Sequence, residues 1–140
     1  MSEFTDTHEE GLLKLSLGKA ATDIAATPAI TQIRVELCSA AVLEDGTTTV
    51  ITALDTPVVN TVPTDWTAPA QNAASPTQAE SSNVAPISFG NATGALTATH
   101  VRIKDQLDVV RAFTPLDSAK TAASGDPVSF PAGALKVRIG

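Results

Sequence analysis

Short runs in which apolar and polar residues alternate, each closed by turn-forming residues, constrain this chain more than any other feature. Ile33, Val35 and Leu37 alternate with Gln32, Arg34 and Glu36; Thr99, Val101 and Ile103 alternate with His100, Arg102 and Lys104; Leu135, Val137 and Ile139 alternate with Lys136 and Arg138. A period of two sends successive side chains to opposite faces, so each run reads as a strand with one buried and one wet face. Ile87 and Phe89 before Gly90, the run from Val109 to Phe113, and Val128 with Phe130 supply further strands. About seven short strands with turn residues roughly every 8–12 positions predict an all-β fold, an antiparallel β-sandwich or a jelly-roll-like barrel.

Two stretches depart from this pattern. Thr7-His8-Glu9-Glu10 has the form in which a hydroxyl and a Glu reciprocally satisfy the first backbone donors of a helix, and Leu12, Leu13, Leu15 and Leu17 follow before Gly18. A short N-terminal helix is predicted, too short to persist unless it docks. Between residues 55 and 86, Pro57, Pro63, Pro69, Pro76 and Pro86 recur among Ala, Ser, Thr and Asn. Proline cannot donate to a ladder, so this stretch reads as extended chain, edge strands and loops. The expected organisation is a helix and arm over residues 1–28 and a single β-sandwich domain over 29–140. Within it, Glu44-Asp45-Gly46 predicts a turn and Thr47 to Thr52 a hairpin partner for the first strand.

Composition narrows the function classes. A net charge of −6 opposes phosphate binding, which draws on clustered Lys and Arg, so no nucleic-acid partner is expected. No apolar run approaches membrane-spanning length and the first residues are acidic, so no membrane association is expected and synthesis in a cytosol is. Charged residues are 17% of the chain, against roughly 25% in ordinary soluble domains, which suggests a surface meant partly for covering. Cys38 stands alone and reads as a small buried hydrophobe, and His8 and His100 are far apart, so no metal site is predicted. No Gly-x-Ser-x-Gly elbow or phosphate-binding loop is present; Gly90-Asn91-Ala92-Thr93-Gly94 reads as a turn. Glu44, Asp45, Asp65, Asp105, Asp108, Asp117 and Asp126 mostly sit beside turn residues, where carboxylates cap backbone amides. No catalytic residue, metal or cofactor is expected. Trp66, the single Trp, is predicted to anchor the core or a lid.

The segments Val84-Ala85-Pro86-Ile87-Ser88-Phe89-Gly90, Leu96-Thr97-Ala98-Thr99-His100-Val101-Arg102-Ile103, Phe113-Thr114-Pro115-Leu116 and Gly125-Asp126-Pro127-Val128-Ser129-Phe130-Pro131-Ala132-Gly133-Ala134-Leu135 resemble a family of small tailed-phage virion proteins, described as tail fibre, minor tail or structural proteins. The family's patterns are an "ITF" strand, a "THVGI" strand, a "GPL" turn and a "GDTVSFAAGAL" strand pair. This chain departs from them at Arg102 and Thr114, each standing where the family has glycine. The resemblance implies a non-enzymatic structural protein of the virion and supplies no catalytic residue. A capsid decoration (cement) protein on the head surface is the leading expectation; a tail fibre- or baseplate-associated protein in host attachment is the alternative. The expected partners are the major capsid protein or tail proteins, together with copies of itself. Phe4, Leu12, Leu13, Leu17 and Trp66 are the predicted contact residues.

Overall fold

The alternating runs become strands in the computed structural model, which describes residues 30–68, 70–72 and 75–139. In chain order these are β1 (Ile33–Cys38), β2 (Val58–Thr61), β3 (Ala70–Asn72), β4 (Ser75–Ser82), β5 (Ile87–Asn91), β6 (Leu96–Lys104), β7 (Val110–Ala122), β8 (Pro127–Phe130) and β9 (Lys136–Ile139). The helical structure among the described residues is one 3₁₀ turn, Pro63–Asp65. The predicted N-terminal helix and arm, with Phe4, Leu12, Leu13 and Leu17, lie outside the described residues.

Every pairing is antiparallel. One sheet has the order β2-β1-β6-β7, a second β3-β4-β9, and a third is the pair β5-β8. The main core draws Val35 and Leu37 from β1, Val101 and Ile103 from β6, Ile87 and Phe89 from β5, and Val128 and Phe130 from β8, so it lies between the large sheet and the smaller ones. Phe89 and Phe130 meet edge to face with centroids 6.1 Å apart, a favoured aromatic geometry.

The sheets are not closed into a barrel, which corrects one of the two architectures the sequence allowed. Closure needs an unbroken ladder with constant stagger. Here the large sheet ends at β2, four residues long between Pro57 and Pro63, and at β7. The ladder between β6 and β7 is itself interrupted. Ala98 pairs with Lys120 but His100 pairs with Pro115, so five positions of β7 pass while two of β6 do. This irregularity shifts the phase of burial along β6: Leu96 and Ala98 face the core before it, Val101 and Ile103 after it, and Thr99 is only half-buried.

The predicted hairpin after β1 forms in reduced shape. Thr49 and Ile51 bond back to Ser39 and Leu37, and Val50 bridges Cys38, but no full strand develops. The intervening loop instead folds over the outer face of the large sheet, where Val42 packs with Cys38 and Phe113. Ala112, Phe113 and Thr114 are consequently buried in succession, because both faces of β7 are covered there. The proline-rich stretch gives edge strands at β2 and β3 as expected, whereas β4 takes a central position. Pro76 is accommodated because the β3–β4 register shifts beside it and pairing with β9 begins only at Ala79.

The turns are set by short polar contacts. Asp45 accepts the Thr47 amide at 2.9 Å, Asp65 that of Val62 at 2.8 Å, and Asp126 that of Ala123 at 3.0 Å, the capping role read from the sequence. Asn83, 2% exposed, receives the Leu135 amide at 2.9 Å and donates to the Ala85 and Pro131 carbonyls at 2.8 and 3.0 Å, fastening the end of β4 to the turn before β9.

Candidate functional site

β1 and β6 pair in the register Arg34↔Lys104, so the start of one and the end of the other meet at the same end of the large sheet. Two features gather there. One is the connection from β6 to β7, residues 105–109, organised by the Asp105 carboxylate. Its Oδ1 accepts the amides of Leu107 at 2.8 Å and Val109 at 3.0 Å, and its Oδ2 accepts Arg111 Nε at 2.8 Å and Nη2 at 2.6 Å. An aspartate that binds the backbone two residues ahead reproduces a turn with its own side chain. Burial pushes the Asp105 carboxyl up, but the Val109 amide, the Arg111 guanidinium and the Leu107 amide together outweigh that and hold it below the usual aspartate range.

Outside contacts fix the same tip. Asp108, with φ of +65°, receives Lys104 at 3.2 Å and Arg34 at 3.4 Å. The Lys104 ammonium beside it holds its carboxyl below the ordinary value. Thr31 N–H donates to Gln106 Oε1 at 3.1 Å, and Arg34 Nη2 to the Gln106 carbonyl at 3.4 Å. Leu107 and Val109 project from this framework 60% and 45% exposed. A tip whose backbone is already ordered loses little conformational entropy on binding.

The second feature is an apolar depression of about 160 Å³ lined by Ile33, Trp66, Ser81, Ile103 and Val137. It opens between the end of the large sheet and the β4–β9 pair. Trp66 forms one wall, half-buried against the core, and donates its Nε1–H to Thr61 Oγ1 at 2.9 Å; Thr61 in turn donates to the Ile33 carbonyl at 2.8 Å. Of the predicted contact residues, Trp66 is thus placed beside this end of the molecule, while Phe4, Leu12, Leu13 and Leu17 lie outside the described residues.

Charges at this end are paired. Glu36, buried on the outer face of β1, meets Arg102 at 2.5 Å and Lys104 at 3.5 Å. Farther along, Asp117 on β7 and Glu80 on β4 both engage Arg138 of β9, at 2.6 and 2.8 Å. Lys136 approaches the same two acids, and Lys120 lies over the Phe130 ring at 5.7 Å. Every Lys and Arg among the described residues therefore has an anionic or aromatic partner. Burial pushes the Cys38 thiol up, away from the thiolate a nucleophile needs, and pushes His100 down.

The amide-capping role expected of Asp105 is found in the β6–β7 connection, whereas the exposure of Leu107 and Val109 at its tip is not among the sequence expectations. The strand expected from Val109 to Phe113 begins one residue later: β7 starts at Val110, and Val109 is exposed.

Residues 3–138 match the profile of a protein family described as podophage GP4 fiber I protein gp80. No curated protein matches the chain.

Proposed function

We propose that this chain, which belongs to the podophage GP4 fiber I protein family, is a fibre-associated structural subunit that binds other tail proteins through the tip between β6 and β7, within the apparatus that attaches the particle to its host. It is a non-enzymatic structural protein of the virion. The family match carries this reading, and it displaces the capsid-decoration role and the major-capsid partner expected from the sequence. Acidic charge and a β-rich domain suit a fibre subunit as well as a head-surface protein. The tip supports the binding mode: Leu107 and Val109 are exposed on a backbone fixed by Asp105, Arg34 and Lys104.

Imaging purified particles with this chain labelled, together with its copy number relative to the major capsid protein, tests placement. A small number of copies on the fibres is expected; hundreds on heads would overturn the assignment. The double variant Leu107→Asp, Val109→Asp tests the surface. Exposed substitutions of this kind change stability by no more than about 0.5 kcal/mol, so the variant should fold as the parent does and fail to co-purify with fibre proteins. Normal incorporation would move the contact elsewhere.

A further inference from the structure

The turn after β1 stands beside the β6–β7 tip. Val42 packs with Cys38 and Phe113, and Val110 joins that cluster from the start of β7. A Cβ on Gly46 would lie 3.1 Å from Val110 Cβ, so the turn passes directly over it. Turn and tip thus share Val110, with Leu43 one position beyond Val42 and Val109 one position before Val110. Leu43 is 61% exposed, and with Leu107 and Val109 it makes three of the six large apolar side chains exposed among the described residues, which concentrates them at this end. The turn is as ordered as the tip: the Leu43 carbonyl accepts the Gly46 amide at 2.7 Å, the Thr47 carbonyl the Leu43 amide at 2.9 Å, and the Gly46 carbonyl Arg102 Nη1 at 2.9 Å. Arg102 is itself anchored on the buried Glu36. Exposed aliphatic side chains on two fixed loops around one shared residue form a patch rather than scattered single contacts.

The charge beside this patch is one-sided. Glu44 and Asp45 follow Leu43, and neither forms an ion pair with a described residue. Asp45 spends one carboxylate oxygen on the Thr47 amide and hydroxyl, at 2.9 and 2.7 Å, while Glu44 Oε2 is buried with no hydrogen-bond partner among the described residues. An acceptor left unmet is costly, and an incoming ammonium or guanidinium would satisfy it. The cations of the tip are already committed: Lys104 and Arg34 to Asp108, and Arg111 to Asp105. A second copy related by a two-fold axis would bring the same patch, and so the same two acids, against it. Charge complementarity therefore selects a different molecule, one with Lys or Arg beside apolar side chains.

We propose that the 43–47 turn and the β6–β7 tip form one contact surface, an aliphatic centre of Leu43, Leu107 and Val109 with Glu44 and Asp45 at its rim, and that its occupant is a basic, aliphatic segment of another tail protein. That assignment rests on the fibre reading and adds the partner's chemistry. The apolar centre supplies the area removed from water, and the rim selects Lys or Arg and speeds encounter. Binding through this surface weakens as salt rises, because exposed charges at the rim are screened and the apolar centre is not.

The probes are the other tail proteins of the same particle, each purified and tested against the full chain by biolayer interferometry. One of them should bind, with an affinity that falls roughly 10-fold as salt rises from about 0.01 M to about 0.15 M, over which the screening length drops from about 30 Å to about 8 Å. Glu44→Gln with Asp45→Asn removes both charges and keeps an acceptor for Thr47; it should weaken binding roughly 5-fold at the lower salt and flatten the salt dependence. Leu43→Ser should weaken binding at both salts while leaving the circular dichroism and thermal melt of the parent, since the side chain is exposed. An affinity equal to the parent's in either variant would overturn the proposal. So would self-association, followed by analytical ultracentrifugation, that Leu43→Ser abolishes, which would make a second copy the occupant. Loss of binding in the Leu107→Asp, Val109→Asp variant with both turn variants binding normally would leave the tip contact standing and remove the turn and rim from it. Absence of binding to every tail protein would overturn both readings.

Discussion

Asp105 bears on both stability and the contact surface, and its removal makes the most demanding test. Its carboxylate has no exposed surface and accepts from two amides and from two nitrogens of Arg111, whose own side chain is 22% exposed. Asp105→Ala leaves a partly buried guanidinium without its anion and two amides without an acceptor. Breaking one side of a buried pair costs about 3–5 kcal/mol, and the partial exposure of Arg111 places this case at the low end, near 3 kcal/mol. For a domain of this size that corresponds to a fall in Tm of about 10 °C. Asp105→Asn keeps an acceptor for the amides and loses the ionic half, so it should cost roughly half as much. The Asp105→Ala, Arg111→Ala double variant should be more stable than the sum of the single changes predicts, by about 1 kcal/mol or more. Urea unfolding followed by Trp66 fluorescence and by circular dichroism measures all three. A loss under about 0.5 kcal/mol for Asp105→Ala at unchanged m would refute the role given to this carboxylate, and equal losses for Ala and Asn would assign its weight to packing rather than charge.

Other consequences are equally direct. Asn83→Ala strands the Leu135 amide and two carbonyls in a site 2% exposed, and urea denaturation should show a loss of about 3 kcal/mol. Gly90→Ala would place a Cβ 2.6 Å from Asp55 Cβ at φ of +73°, whereas Gly125→Ala, at φ of +89°, meets nothing within 4 Å. The second should cost only the left-handed backbone penalty of about 1–2 kcal/mol and the first clearly more, a difference that paired thermal melts will resolve. Asp105 and Asp117 have folded pKa values held below the ordinary one, Asp117 chiefly by hydrogen bonding to Arg138. The unfolded chain therefore takes up protons first as pH falls: their stabilisation is complete above the ordinary aspartate value of about 3.9 and is lost as pH drops through the folded values. Urea midpoints should fall steeply below about pH 4, and Asp105→Ala should flatten that dependence.

The β-character of this protein, the positions of most strands and the turns capped by Asp45, Asp65 and Asp126 were legible because they depend on local rules. Alternation sets which face is buried, and a carboxylate beside a turn finds the nearest amide. The phage-virion family, too, was visible in strand and turn segments, but placement on a fibre was not, since such segments record a fold and not a location. Tertiary structure alone decided the rest. The break in the β6–β7 ladder, which turns Thr99 from the core and sends Ala98 into it, follows from register against a distant strand. Val42 is buried because the loop after β1 closes over Phe113, 71 positions away along the chain. Leu107 and Val109 are exposed because Asp105 and Arg111 bind each other and spend their polarity inward, holding the tip in a shape that leaves its aliphatic side chains no core to enter. Hydrophobic pattern is a property of neighbours in sequence, whereas register, coverage and the pairing of buried charges are properties of neighbours in space.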